Sequence, residues 1–372
     1  MVKWLKRLAW LVAGLLVLAL GWLTFAYFTS SNSCKDASAA APSNPMKAVI
    51  YCDYGAPDVL KFQDVETPVP ADNQVLVKVR AVAVNPLDWH FVRGTPYLMR
   101  LGAGLRVPKE IRLGVDFAGT VEAVGSKVTQ FKPGDEVFGA KTGAFAQYVV
   151  VGEDRSVAAK PANLTFEQAA GIPIAAVTAL QGLRDKGGLK AGEKVLINGA
   201  SGGVGTFAVQ IAKSLGAEVT GVCSTRNLEL VRSLGADYVV DYTKEDFADG
   251  ARRYDVIIDN VGNRSLSDCR RALTPEGRYV LIGGGGPNDH RVIGPFGRVI
   301  HMLVRNRFGS QRMGFMLADI NQKELTYLAG LMQDGKVTPV IDRTYKFSDL
   351  PEAVRYLEAG HARGKVVVTL NE

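Results

Sequence analysis

The stretch that most constrains the fold of this chain runs from Val195 to Lys213 and has the sequence VLINGASGGVGTFAVQIAK. It predicts a short apolar strand, a glycine-rich turn and an amphipathic helix. Small residues stand where a dinucleotide fold needs a tight turn, close backbone approach to a pyrophosphate, and close packing of helix on strand. Amide groups and the dipole at the start of the helix favour phosphate there. The turn therefore predicts a nucleotide site at Ala200, Ser201, Gly202, Gly203, Val204 and Gly205.

The end of the next predicted strand, residues 218–222, indicates which nucleotide is bound. A site that prefers NAD usually has Asp or Glu there, bonded to the ribose 2′-hydroxyl. Here the strand continues into Cys223-Ser224-Thr225-Arg226, without a carboxylate. Ser224 and Arg226 are suited to a 2′-phosphate, which favours NADPH over NADH. The alternative is that Arg226 is a solvated surface charge.

Segments around this turn predict two domains of different class. Residues 74–83, 119–124 and 144–151 alternate apolar and polar side chains, as half-buried strands do. Residues 166–285 alternate strands with helices, the pattern of a doubly wound parallel sheet. The tail is strand-like at residues 341–344 and 365–370 and is expected to return to the β domain. We predict a β domain over 46–165, a Rossmann domain over 166–310 and a returning segment over 311–372.

The amino terminus predicts a separate unit. Lys3, Lys6 and Arg7 precede an uncharged run, residues 8–28, which at about 1.5 Å per residue matches a hydrocarbon core of ~30 Å. We expect an uncleaved single-pass membrane anchor, followed by a small-residue linker over 29–45. A cleaved signal peptide and a translation start at Met46 are the alternatives. The charges favour an enzyme domain outside the cytoplasm, whereas NADPH is mainly intracellular, so the side stays open.

Composition excludes several classes of protein. Apolar residues make up 47% and charged residues 22% of the chain, which is typical of a globular protein. The formal net charge is +7, but no Lys/Arg run is interleaved with aromatic residues, so nucleic acid is not an expected partner. The four cysteines, Cys34, Cys52, Cys223 and Cys269, are widely spaced and predict neither a disulfide framework nor a metal site.

Collinear motifs over residues 46–370 resemble the zinc-independent quinone oxidoreductase branch of the medium-chain dehydrogenase/reductases, which includes enone reductases. The motifs are Asn85-Pro86-Leu87-Asp88, Leu113-Gly114-Val115-Asp116-Phe117-Ala118-Gly119, Gly134-Asp135-Glu136-Val137, Ala176-Val177-Thr178-Ala179, the glycine turn, Leu234-Gly235-Ala236-Asp237, Asp259-Asn260-Val261-Gly262 and Gly364-Lys365-Val366-Val367. The resemblance implies a GroES-like β domain formed by both ends of the chain, a Rossmann domain between them, an active site in the interdomain cleft, and a homodimer.

The resemblance also implies roles for particular residues. Asn85 is placed beside the nicotinamide ribose and the substrate, as a donor to an oxygen, and Thr178 beside the nicotinamide. The remaining cofactor-binding predictions are Tyr242, Asn260, Val261, Gly262, Ile282 and Gly283. Zinc-dependent relatives carry a Cys near the position of Asn85 and Gly-His-Glu near Gly114-Val115-Asp116. We therefore predict no metal.

Without a Lewis acid, conjugate reduction is more accessible than reduction of a simple carbonyl. We predict NADPH-dependent hydride transfer to quinones or α,β-unsaturated carbonyls. His90 and Tyr97 are candidates for proton donation or substrate orientation, because their loop is expected to face the cleft. His90 as a packed or surface residue, and solvent as the proton source, are the alternatives. The competing functions are a zinc-free alcohol dehydrogenase and a membrane-tethered NADPH-binding scaffold or sensor.

Residues 291–316 mix apolar and basic side chains and bear on the substrate. We expect an apolar mouth and, on the same helix, solvated arginines. The mouth residues are Val299, Ile300, Met302, Leu303 and Val304, and the arginines are Arg298, Arg305 and Arg307. Such a helix could rest on lipid headgroups and admit lipid-derived acceptors. An ordinary helix or a dimer contact is the alternative.

Overall fold

The computed structural model describes residues 2–34, 41–284, 292, 294, 296–306 and 310–370. A long helix, α1 (Val2–Thr29), begins the chain. Within those residues, no helix combines the length and the apolar character that crossing a bilayer requires. The predicted transmembrane helix and single-pass membrane localisation are therefore wrong. The Leu- and Ala-rich run is helical, as its high intrinsic propensity favours, and helicity alone does not specify a membrane.

Both ends of the enzyme region form one β domain. A two-stranded ribbon pairs β1 (Pro45–Ile50) with β2 (Lys61–Glu66). The larger sheet has seven strands in the order β14-β15-β3-β4-β5-β7, with β6 paired to β3. Its strands are β3 (Gln74–Val84), β4 (Asp116–Val124), β5 (Glu136–Ala140), β6 (Tyr148–Gly152), β7 (Val157–Ala159), β14 (Ile341–Lys346) and β15 (Lys365–Thr369). Because β15 pairs with β3, the tail returns to the β domain as predicted.

The middle of the chain forms a parallel sheet of six strands in the order β10-β9-β8-β11-β12-β13. The strands are β8 (Lys194–Asn198), β9 (Glu218–Cys223), β10 (Tyr238–Asp241), β11 (Tyr254–Asp259), β12 (Leu273–Leu281) and β13 (Arg312–Phe315). This is the strand order of a dinucleotide-binding fold, which confirms the predicted class. The sheet extends past the predicted boundary at residue 310, because β13 pairs with β12 before the chain turns back.

Helices pack against both sheets. They are α2 (Pro86–Arg93), α3 (Arg100–Ala103), α4 (Phe166–Ala170), α5 (Pro173–Gln181), α6 (Gly203–Ser214), α7 (Leu228–Ser233), α8 (Leu266–Ala272), α9 (Phe296–Arg305), α10 (Gln322–Gln333) and α11 (Leu350–Glu358). One apolar cluster joins Ala83 and Phe138 of the β domain to Ile172, Ile197 and Phe207 of the Rossmann side. This shared core packs the two domains against each other.

A disulfide joins Cys34 to Cys52, with 5.9 Å between the Cα atoms. The cysteine spacing did not predict this bond, because the segment after α1 folds back onto the β domain. There the side-chain amide of Asn32 donates to the carbonyl of Cys52. Cys223 and Cys269 are free and buried.

Candidate active site

The glycine turn lies between β8 and α6, at the carboxyl end of the sheet. A Cβ atom on Gly205 would lie 2.1 Å from the carbonyl oxygen of Gly199, so this position accepts no side chain. Gly202 precedes the helix and, as glycine, has no side chain with which to cap it. The first amides of α6 therefore have no intrahelical acceptor and are available to an anion.

A polar side-chain cluster borders this turn at the end of β9. The amide of Asn227 donates to the Ser201 hydroxyl at 2.9 Å and to the Ser224 hydroxyl at 3.3 Å. Its other side-chain atom, Oδ1, is buried without a hydrogen-bond partner among the residues that the structure describes. The sequence pattern did not predict that Asn227 contacts the turn.

The predicted 2′-phosphate residues lie beside this cluster. Arg226 is exposed and donates to the carbonyl of His361 at 2.9 Å. This hydrogen bond connects the end of β9 to the loop before β15. Tyr242 is half exposed, and its backbone amide donates to Cys223. Both residues thus lie near the end of β9, and their contact with a phosphate stays a prediction.

On the other side of the glycine turn, the residues after β11 form a second turn. The carboxylate of Asp259 accepts from the amides of Val261 and Gly262 and from the side-chain amide of Asn198. Asn260 donates to the carbonyl of Asn198 at 2.9 Å, while its Oδ1 atom is buried and unpartnered in the described part of the chain.

The segment after β12 packs on this second turn. Ile282 donates its amide to Asp259, and a Cβ atom on Gly283 would lie 2.4 Å from the carbonyl oxygen of Asn260. The structure thus brings Asn260, Val261, Gly262, Ile282 and Gly283 together, as a cofactor site would require. Thr178 is buried on α5, which contacts both β4 and α6, and so it lies between the domains.

A buried polar cluster lies in the β domain at the start of α2. Lys365 donates to Oδ1 of Asn85 at 2.6 Å, and Asn85 donates from Nδ2 to Asp116 at 2.9 Å. Nδ2 also contacts the carbonyl of Ala83 at 3.3 Å. Asp88 caps the start of α2 by accepting from the Asn85 amide. Since both amide hydrogens of Asn85 have acceptors within the protein, its donation to a substrate oxygen stays a prediction.

Burial sets the charge of this cluster. Desolvation raises the pKa of Asp88 to about 7, against hydrogen bonds from the backbone that lower it. Burial also raises the pKa of Asp116, and the neighbouring ammonium of Lys365 opposes that rise. Lys365 lies 3.4 Å from Asp116, so one buried cation stands against two buried carboxyl groups. The cluster therefore holds a proton more readily than isolated carboxyl groups do.

Two protein families match parts of this chain. The alcohol dehydrogenase GroES-like domain family matches residues 71–162, and the family described as zinc-binding dehydrogenase matches residues 234–368. The chain is 37% identical to 2-methylene-furan-3-one reductase of Solanum lycopersicum over 348 residues, which cover 89% of this chain and 80% of that protein. It is also 37% identical to the chloroplastic NADPH-dependent alkenal/one oxidoreductase of Arabidopsis thaliana, over 89% of this chain and 81% of that protein. The chain belongs to the medium-chain dehydrogenase/reductase superfamily.

A solved structure supports the same branch of this superfamily. The quinone oxidoreductase of Coxiella burnetii has a TM-score of 0.76 and 33% identity, covering 88% of this chain and all of that one (100%). The resemblance to quinone and enone oxidoreductases that the motifs indicated is thus confirmed. The Arabidopsis relative is described as chloroplastic, which differs from the membrane anchor predicted here.

Zinc does not fit the residues that this member of the superfamily has at the corresponding positions. The amide of Asn85 is not one of the usual zinc ligands, and Asp116 is already bonded to Asn85 beside the Lys365 ammonium. In the described ranges, no group of three His, Cys, Asp or Glu side chains is arranged to hold a metal ion. The metal-free site stays a prediction for metal analysis of the purified protein.

His90 lies on helix α2 itself and not in a loop, whereas Tyr97 begins the short 3-10 turn Tyr97–Met99 that follows this helix. His90 is stacked on Trp89, and its Nδ1 atom lies 2.7 Å from the carbonyl of Thr95. Burial lowers the pKa of His90, so the ring is neutral, and Nδ1 must carry the proton that the carbonyl accepts. Nε2 is then an acceptor. Tyr97 is about half exposed, next to Arg100. Their part in proton donation or substrate orientation stays a prediction.

Helix α9 was expected to form an apolar mouth, but its apolar side chains are split between solvent and the protein core. Ile300 and Leu303 are exposed, whereas Met302 is buried and Val299 packs on the same core cluster. Arg298 is only 18% exposed and bonds to the protein interior, so the prediction of a solvated Arg298 is wrong. Its partners come from β11 and β12, which a helical pattern cannot reveal. The side chains of Val304 and Arg305 and all of Arg307 lie outside the described residues.

Two functional candidates, Asp116 and Lys365, were not recognised as such from the sequence. Both lie in motifs that supported the family resemblance, and neither was given a role in the site there. A charged residue at the start of the apolar run Val366-Val367-Val368 was the available signal, because a buried lysine needs a partner.

Proposed function

We propose that this chain is an NADPH-dependent oxidoreductase that transfers hydride to quinones or α,β-unsaturated carbonyls without a metal. The observation that carries the proposal is the glycine turn with its uncapped helix α6, beside the Asn85, Asp116 and Lys365 cluster: a Cβ atom on Gly203 would lie 3.3 Å from Cδ of Lys365. The names of the two plant relatives and of the bacterial structure support the same chemistry.

The described residues fit the cofactor. The amides of Gly203, Val204 and Gly205 would hold the pyrophosphate, because they begin α6 behind a glycine that leaves the approach open. The buried oxygens of Asn227 and Asn260 lack donors among the residues that the structure describes, and hydroxyl or carboxamide groups of a dinucleotide supply donors of that kind. Thr178, Val261, Ile282 and Gly283 would complete the nicotinamide side.

Preference for NADPH would rest on Ser224, Arg226 and Tyr242 at the end of β9. Arg226 is exposed and bonded only through one donor to the carbonyl of His361 in the described contacts, so its guanidinium has further donors for a phosphate. Asp241, the last residue of β10, is held by the Thr225 and Thr243 hydroxyls and does not occupy the ribose position of an NAD site.

When bound, the cofactor supplies a hydride from C4 of its nicotinamide, and negative charge then develops on the acceptor oxygen. The chain orients the two partners between the turn after β11 and the buried polar cluster of the β domain. The Lys365 ammonium provides positive charge behind Asn85, and the neutral ring of His90 leaves Nε2 to accept a hydrogen bond. The phenol of Tyr97 would donate its Oη proton to the oxygen of the hydride acceptor.

The entrance of the cleft favours apolar acceptors. The two domains meet where the amide of Leu98 bonds to the carbonyl of Val292 at 3.0 Å. The side chains of Tyr97, Leu98 and Val292 are all exposed and apolar. Enones and quinones with hydrocarbon substituents would bury apolar surface at this rim, which charged acceptors would not.

NADPH oxidation by the purified full chain, measured against quinones, enones and saturated aldehydes with and without a chelator, tests the proposal. Turnover of quinones or enones that the chelator does not change is the expected result. Turnover of aldehydes alone would favour an alcohol dehydrogenase, and NADPH binding without turnover would favour a scaffold.

As a second, independent expectation, two copies of the chain would form a homodimer by pairing their edge strands β13. Analytical ultracentrifugation measures this oligomeric state.

A further inference from the structure

Arg298, on the substrate-side helix α9, has its guanidinium inside the Rossmann domain. Nη1 donates to the carbonyl of Gly262 at 3.0 Å, and Nη2 donates to the hydroxyl of Tyr279 at 3.0 Å. Nη2 also lies 3.7 Å from the buried carboxylate of Asp259. The guanidinium thus contacts the end of β11, the strand β12 beside it, and the turn that follows β11.

The partners of Arg298 are themselves fixed. Tyr279 donates its hydroxyl proton to Asp259 at 2.6 Å, and both side chains are fully buried. Burial and the Asp259 carboxylate raise the pKa of Tyr279, so the phenol keeps that proton. Its oxygen is left to accept from Arg298. The other carboxylate oxygen of Asp259 accepts from Val261 and Gly262. One continuous set of hydrogen bonds therefore runs from α9 to the amides of the turn.

We propose that Arg298 is a positioning residue that fixes the substrate-side helix α9 to the cofactor-side turn 259–262, so that one buried contact sets the geometry of both halves of the pocket. The proposal rests on the proposed function, because it takes this turn as part of the NADPH site. Arg298 itself touches neither substrate nor cofactor in this assignment.

The rest of α9 explains why this contact would matter for the reaction. Met302 is buried and Val299 packs on the same cluster, while Ile300 and Leu303 are exposed. A rotation of the helix would therefore move these exposed apolar side chains and pull on Gly262 at once. Nε of Arg298 is buried without a partner among the described residues, so the guanidinium is held by its Nη atoms, of which Nη2 also donates to the sulfur of Cys269 at 3.8 Å.

Arg298→Met in the full-length protein tests this coupling, because Met keeps the apolar stem and removes every donor. Hydrogen exchange is followed in peptides that cover residues 258–265 and 296–306. We expect both peptides to lose protection together. Arg298→Lys, which cannot bond Gly262 and Tyr279 at once, should recover part of the protection. Arg253→Met, an exposed arginine just before the opposite end of β11, is the matched control and should change neither peptide.

The functional readouts are the Kd of NADPH and the KM of an enone acceptor. Each should rise about tenfold or more in Arg298→Met, since two hydrogen bonds from a charged donor are lost, and less in Arg298→Lys. Loss of protection in residues 296–306 alone, or unchanged NADPH affinity in a folded Arg298→Met protein, would overturn the proposal.

Asn260→Ala separates this proposal from the proposed function on which it rests. A wild-type Kd for NADPH in Asn260→Ala would remove the turn from the cofactor site, and with it the cofactor half of the proposal. Independent exchange of the two peptides in Arg298→Met, together with weakened NADPH binding in Asn260→Ala, would overturn only the Arg298 contact.

Discussion

Lys365 donates a 2.6 Å hydrogen bond to the side-chain oxygen of Asn85, although 280 positions separate the two residues in the chain. The bond joins the last strand of the β domain to the start of α2. It also places a buried cation against Asp116. The buried charge of Lys365 is stabilised only by its partners, so replacing one member of the cluster leaves the others without their hydrogen-bond or charge partner.

Lys365→Met should destabilise the protein strongly. The substitution leaves the buried carboxyl of Asp116 without its cation, and breaking one side of a buried pair typically costs about 3–5 kcal/mol. Urea unfolding followed by circular dichroism measures the change. Lys336→Met is the matched control, because Lys336 and its partner Asp334 are both more than half exposed, and should cost at most about 1 kcal/mol. Equal effects of the two variants would contradict the buried pair.

Asp88 should make stability decrease as the pH rises. Its pKa is raised by burial from 3.8 to about 7 in the folded protein, so between these values the folded state holds a proton that the unfolded state has released. The contribution of Asp88 to the free energy of unfolding is then fully present below pH 3.8 and is lost as the pH rises towards 7. Within this range the free energy of unfolding falls with a limiting slope of about 1.4 kcal/mol per pH unit.

Asp88→Asn checks this pH dependence. The amide oxygen can still accept from the Asn85 amide but does not titrate, so the difference in unfolding free energy between variant and wild type should change with pH across that window. Asp135→Asn, at a partly exposed turn, is the control for removing one carboxyl group. A pH-independent difference would show that Asp88 has an ordinary pKa.

Gly205→Ala should abolish NADPH binding, because the added Cβ would lie 2.1 Å from the Gly199 oxygen and force α6 away from the turn. Overpacking of this kind typically costs about 1–3 kcal/mol of stability. Gly330→Ala on α10 is the matched control: its Cβ would meet nothing within 4 Å, and the helix should gain roughly 0.5–1 kcal/mol. Calorimetric titration with NADPH, beside thermal unfolding, distinguishes the two; full affinity in Gly205→Ala would refute the close approach.

These sites differ in how far the sequence could predict them. The strand β8, its turn and α6 were predicted because the glycine spacing is local and its steric demands are contained in a few residues. The Lys365, Asn85 and Asp116 cluster was not, because the tail reaches β3 only through long-range strand pairing. Arg298 was wrongly predicted to be solvated for the same reason. An amphipathic pattern indicates which residues share a helix face, but not that Tyr279 and Gly262 accept hydrogen bonds from Arg298.

Arg226→Ala should raise the KM for NADPH by on the order of 10-fold while changing the KM for NADH little, because only NADPH carries the phosphate that a guanidinium would bind. Steady-state kinetics with both cofactors makes this comparison. The contact of Arg226 with the His361 carbonyl supplies the rival explanation, in which the arginine only links the domains. Loss of that link would raise both KM values equally. Arg232→Ala, an exposed arginine on α7 paired with Glu229, should leave both values unchanged.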